Sequence, residues 1–215
     1  MATISNFPTK PQRQGVTSQG FPSDLPSNFS TQITLIGGSA GQGVIRLPLP
    51  KRLNDLQVLI WEEISLTDMA LSQLPGVQGA ASLGGYALGG YALNPFMFML
   101  FKRPQFKEHV LQWTLAPNSQ QESEKIRDIV KTLKKASLPS KAGGGLLMKY
   151  PAQAQVTLNP GNWLYKFKPC AITAVQVDYT GAGLSFFNSQ APTVVNLTLQ
   201  LKETKLWSAD DPELQ

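Results

Sequence analysis

Charge is scarce in this sequence: only 15% of its 215 residues are Asp, Glu, Lys or Arg, against roughly a quarter in an ordinary soluble domain. Large uncharged surfaces belong to obligate interfaces more often than to free monomers. The chain holds a single cysteine, Cys170, which excludes an internal disulfide framework and a cysteine-cluster zinc site. Its single histidine, His109, leaves a histidine-based metal site or catalytic triad without partners. Paired acids are equally sparse. Glu62 and Glu63 are adjacent inside the expected fold, and neighbours on a strand point to opposite faces. No nucleophile, base or ligand set emerges, so the sequence reads as non-enzymatic, with no catalytic, cofactor-binding or metal residues and no cofactor. The N-terminal MATISNFPTKPQRQG lacks the apolar core of a secretory signal.

Against this stands one long apolar run. No residue from Met69 to Phe101 is charged, and a charge-free stretch of about 18 residues is the usual transmembrane flag. The run nevertheless contains GGYAL twice in tandem (Gly84–Leu88, Gly89–Leu93) and then Asn94-Pro95. Interior Gly costs a helix roughly 1 kcal/mol relative to Ala, and Pro roughly 3. A glycine-rich loop feeding a short buried strand, Phe96–Lys102, is the expectation, with no membrane insertion.

Net charge is +5 and unevenly placed. Residues 102–150 hold ten Lys/Arg against four Asp/Glu, whereas residues 61–100 hold three acids and no base. Most of the basic residues fall on or beside one predicted helix, which reads as a solvated face; a nucleic-acid surface would interleave them with exposed aromatics. The glycine-rich GGSAGQG (Gly37–Gly43) is followed by Val44-Ile45-Arg46, not by the Gly-Lys-Ser/Thr of a phosphate loop, and reads as a turn.

Residues 1–30, rich in Pro, Ser, Gln and Asn, read as an extended N-terminal arm. A single domain is expected over 31–207 and an acidic C-terminal tail over 208–215. Strands are expected at Thr31–Gly38, at Leu56–Leu66 centred on Trp61, and at Phe106–Leu115. Leu111, Trp113, Leu115 and a packed His109 share one face of the last of these. VIRLPLP (Val44–Pro50) reads as an edge strand or sheet exit because Pro48 and Pro50 cannot donate ladder hydrogen bonds. Ser119 with Glu122 forms a capping box, and Ile126, Ile129, Val130 and Leu133 form one apolar helical stripe over Gln120–Ala136. Trp113 is expected beneath that stripe. Lys141–Pro151 reads as a flexible link. In Thr193–Thr204, Val195, Leu197, Leu199 and Leu201 face in, and Asn196, Thr198, Gln200 and Lys202 face out. The sum is six to eight strands and one helix, an α+β chain that is mostly β. Its open sheet edges need closing, within a small barrel or across subunits.

The segment NPFMFMLFKRPQFKEHVLQWTLAPNSQQESEKIRDIVKTLKKASLP resembles the tail-tube initiator, or baseplate tail-tube junction, proteins of contractile-tailed phages. The resemblance rests on Asn94, Pro95, Phe101, Phe106, Trp113, Leu115, Pro117, Ser119, Glu122, Ser123, Ile126, Ile129, Lys134 and Pro139, with Trp61 and Leu133 in the same framework. It spans roughly Ile45 to Leu201. The GGYAL duplication and the compact length depart from the family pattern.

The resemblance implies a tail-tube-type β-sandwich or barrel subunit with one flanking amphipathic helix, its inner strands joining a ring-wide β-barrel. It implies a homo-hexameric ring in the virion baseplate, assembled in the host cytoplasm. That ring connects a central hub or second junction ring below to the tail tube protein above, and initiates tube polymerisation. The alternative is the main tail tube protein or an equivalent ring of a contractile injection system. Tape-measure protein and transiting DNA would occupy the lumen, for which Asn196, Thr198 and Gln200 are candidate lining residues. Lys131, Lys134 and Lys135 are candidate outer-face contacts if they face the wedge or sheath components around the ring. The arm would reach an adjacent ring or the hub.

Overall fold

The computed structural model describes residues 17–38, 43–65, 97–142, 145–181, 183, 185–188 and 190–211. In chain order these form β1 (Thr17–Gly20), a single 3-10 turn (Ser27–Phe29), β2 (Ser30–Ile36), β3 (Gly43–Pro48), β4 (Leu59–Ser65), β5 (Met97–Pro104) and β6 (Glu108–Leu115). Then come α1 (Gln120–Ser137), β7 (Ser140–Ala142), β8 (Leu147–Lys149), β9 (Gln153–Leu158), β10 (Cys170–Asp178) and β11 (Val195–Glu203). The chain is α+β and mostly β. It divides into two compact units, Gln57–Gln105 and the remainder, where the sequence suggested one domain over 31–207.

The larger unit is built on a seven-stranded sheet of order β1-β3-β2-β9-β10-β11-β6. All neighbours are antiparallel except β1 and β3, which are parallel. Two expectations change here. Residues 17–20, read as part of an unpacked arm, are a sheet strand, and Phe21 just after them is buried. β3 is not an edge, since β1 covers its outer side, whereas the other expectation for VIRLPLP, a sheet exit, holds: the strand ends at Pro48.

Alternation along the strands sorts the side chains. On β11 the odd positions from Val195 to Leu201 are buried while the even ones reach solvent, as the period-2 pattern predicts. β6 buries His109, Leu111, Trp113 and Leu115 in the same way. Phe106, expected at the start of this strand, lies before it and is half-buried.

The sheet is rolled. Lys51 N–H, in the segment after β3, donates to Gln112 O on β6 at 2.8 Å, although β3 and β6 lie near opposite ends of the strand order. Its apolar face therefore encloses a core, onto which α1 adds Ile126, Ile129, Val130 and Leu133, all buried. The helix packs on β10 and β1. Burying these four contributes about 1.5–3 kcal/mol apiece, against about 1 kcal/mol for an N-cap, so packing holds the helix more than its cap does.

The cap itself forms: Glu122 N–H donates to Ser119 Oγ at 3.3 Å. The Glu122 carboxylate reaches one residue further back than a capping box requires, accepting from Asn118 N–H at 2.9 Å. At the other end Ala152 N–H donates to Ala136 O at 2.9 Å. Here Gly38, with φ of +71°, lies so close that a Cβ would meet Ala152 N at 2.6 Å.

The smaller unit contributes one described element pair, the antiparallel ribbon β4–β5. The sequence expected a short buried strand at Phe96–Lys102; β5 is exposed along seven of its eight residues. The expected flexible link Lys141–Pro151 likewise contains a second short ribbon, β7–β8.

Candidate assembly surfaces

Asn196, Thr198 and Gln200 lie on the solvent face of the rolled sheet, as expected. Register sets Thr198 between Gln176 on β10 and Gln112 on β6, and Gln200 between Ala174 and Val110. Thr114 Oγ1 donates to Asn196 Oδ1 at 2.6 Å. Charge appears only at the ends of this row. Lys202 and Glu108 pair at 2.7 Å at one end. At the other, Asp178 accepts from the Thr180 hydroxyl and amide, which hold its carboxyl below the ordinary range. Between the ends lies a wettable strip without net charge, chemically unable to grip a polyanion through ion pairs.

The β4–β5 ribbon is different in kind. Trp61, Glu63, Phe101, Met99 and Met97 share one face by register, and Glu62, Ile64, Phe98 and Leu100 the other. Both faces are apolar and both are open: Trp61 is 50% exposed and Met99 60% on one, and Leu100 47% and Phe98 37% on the other. Trp61 and Phe101, expected as core residues, instead meet edge to face at 5.4 Å on the surface. Two strands cannot bury an apolar face between themselves, and an isolated two-stranded ribbon is marginal in water. Each strand pairs only with the other among the described residues, so both outer edges offer free backbone donors and acceptors.

The remaining framework residues are placed as follows. Leu115, Ile126, Ile129 and Leu133 are core, Pro117 and Ser123 are buried beside the helix start, and Ser119 and Glu122 cap it. Pro139 is exposed past the helix end. Asn94 and Pro95 lie outside the described residues, as do the GGYAL repeats. Lys131, Lys134 and Lys135 are exposed on α1, with Lys131 only 4.0 Å from Asp128.

Sequence reasoning missed a buried polar lock at the C-terminal end of the sheet. Glu203, 2% exposed, accepts from Lys168 N–H at 3.2 Å and from Trp207 Nε1–H. Its Oε1 lies 3.2 Å from His109 Nε2. His109 is thus the buried core histidine its strand parity suggested, with Nε2 paired to Glu203 and Nδ1 left without a partner among the described residues. The Trp207 ring lies under two ammonium groups, Lys168 at 4.5 Å and Lys107 at 5.0 Å. Those lysines pair in turn with Asp211 at 2.6 Å and Asp55 at 2.7 Å. The lock fastens 204–211 and 51–56 to the sheet. Its only sequence signal was an isolated Trp in a charged tail.

No helix among the described residues is long and apolar enough to cross a membrane. No family model matches the sequence, and no curated protein matches it.

Proposed function

We propose that the chain is a structural ring subunit of a phage tail baseplate, joining the central hub to the tail tube and initiating tube polymerisation. The observation that carries this reading is the β4–β5 ribbon. It is apolar on both faces and, among the described residues, open on both edges, and a molecule that kept it so in water would aggregate. Sister copies in a closed ring supply both covering faces and edge partners. The resemblance over Ile45–Leu201 supplies the particular machine.

The polar strip through Asn196, Thr198 and Gln200 suits a lumen wall: it stays wet, yet tape-measure protein and DNA can slide past it. The basic helix face at Lys131, Lys134 and Lys135 suits contact with surrounding baseplate parts. The ring is a homo-hexamer of the virion, formed in the host cytoplasm, with the tube protein stacked above.

Size-exclusion chromatography with light scattering, and negative-stain images of the protein alone and with its hub, test the proposal. A ring of six subunits is expected. A protein that remains strictly monomeric even beside the hub overturns it. Copy number per particle then distinguishes one initiating ring from the many stacked rings of a main tube protein.

A further inference from the structure

We propose that neighbouring copies join edge to edge, β4 of one against β8 of the next, with Glu63 set against Lys149. This deepens the ring reading and rests on it.

β7–β8 is three residues per strand, with open outer edges among the described residues. Its apolar side chains project into water: Leu147 is 64% exposed and Met148 69%, and beside them Leu146 is 90% and Tyr150 88%. Register places Lys141 on the face of Met148, while Lys149 shares a face with Leu147. Each face of this ribbon thus offers one lysine and one large apolar group.

β4 carries the matching pattern with the opposite sign. Glu63 shares a face with Trp61, and Glu62 shares the other with Ile64. Each face offers one carboxylate beside apolar side chains, so either way up the two edges suit each other. Glu62 is already held by Lys102 at 2.9 Å. Glu63 has no basic partner among the described residues, which makes it the carboxylate available for a second copy.

Charge also decides against like-with-like pairing. From Ile129 to Val177 the sequence has seven lysines and no acid, and β4 has two acids and no base. Two β8 edges repel, as do two β4 edges, because like charges directly across a sheet are unfavourable. Only unlike edges attract. A contact between unlike patches is heterologous, and heterologous contacts generate rings when the rotation closes.

Two full-length variants test the pairing by light scattering: Glu62→Lys with Glu63→Lys, and Lys141→Glu with Lys149→Glu. Each alone is expected to lose the ring, weakening assembly at least tenfold at an unchanged melting temperature. Mixed in equal amounts they are expected to regain it, because every junction again joins opposite charges. In parallel, Glu63→Cys and Lys149→Cys in separate chains should form a disulfide-linked pair when mixed and oxidised; the native Cys170 is buried and stays out of the reaction. Rings that survive both reversals, a mixture that stays dissociated, or the absence of the mixed disulfide overturns this pairing and leaves the ring reading standing. A wild-type chain that never forms rings overturns both.

Discussion

Trp113 Nε1–H donates to the carbonyl of Pro48 at 2.8 Å, tying β6, the last strand in sheet order, to the end of β3, the second. With the Lys51–Gln112 bond beside it, this contact closes the roll of the sheet around the core. Trp113 is 3% exposed, so one side chain both fills the interior and ties its seam.

Replacing Trp113 should therefore disrupt the subunit itself. Trp113→Ala is expected to lose about 3–5 kcal/mol of stability in urea denaturation of the full chain, and to misfold the subunit before assembly is reached. Trp113→Phe keeps most of the volume but leaves Pro48 O without its donor, at about 1–3 kcal/mol. An unchanged midpoint for Trp113→Ala would refute its role.

The C-terminal lock predicts a local effect with a pH signature. Glu203→Gln sets an amide against N–H donors in a buried site and should cost about 2–3 kcal/mol, with faster proteolytic clipping of 204–211. Lys168, chiefly through its hydrogen bond, and Ser208 hold the Asp211 carboxyl below its ordinary value of 3.8. A depressed folded pKa gives stability that is fully present above 3.8 and lost as pH falls through the folded value. Clipping should therefore accelerate in acid, below about pH 4, and a rate independent of pH there would count against the Lys168–Asp211 pair.

At high pH the sign reverses. Burial, and then the nearby Glu203 charge, push the Cys170 thiol from 9.0 up to about 12. Tyr165 rises from 10.0 to about 12 through burial and Asp55, partly opposed by a hydrogen bond from Asn54. Raised folded values leave stability whole below the unfolded pKa and remove it as pH climbs toward the folded one. Unfolding should set in between pH 9 and 12. At pH 8 a thiol reagent should spare Cys170 in the native chain and modify it fully in urea; rapid native labelling would show the site to be open.

Much of this fold was legible because it is locally encoded. The cap at Ser119, the stripe from Ile126 to Leu133 and the alternation on β11 each express one element's own period. His109 followed from parity with Trp113. What was illegible is set by partners distant in sequence. Thr17–Gly20 has no strand composition and is a strand because β3 lies alongside it. Lys107 finds Asp55 across 52 residues, and no periodicity announces such a pair. Trp61 and Phe101 failed for another reason: an apolar strand reads the same in sequence whether its side chains are enclosed or, as here, exposed.

The rolled sheet and the ribbon differ in what sustains them. An enclosed interior is complete in one molecule, and dilution leaves its melting untouched. In the proposed ring, apolar faces covered by sister copies would obey mass action, so their order would grow with the number of molecules present. The first encounter between two copies would bear that ordering unaided, and every later arrival would meet an edge already set.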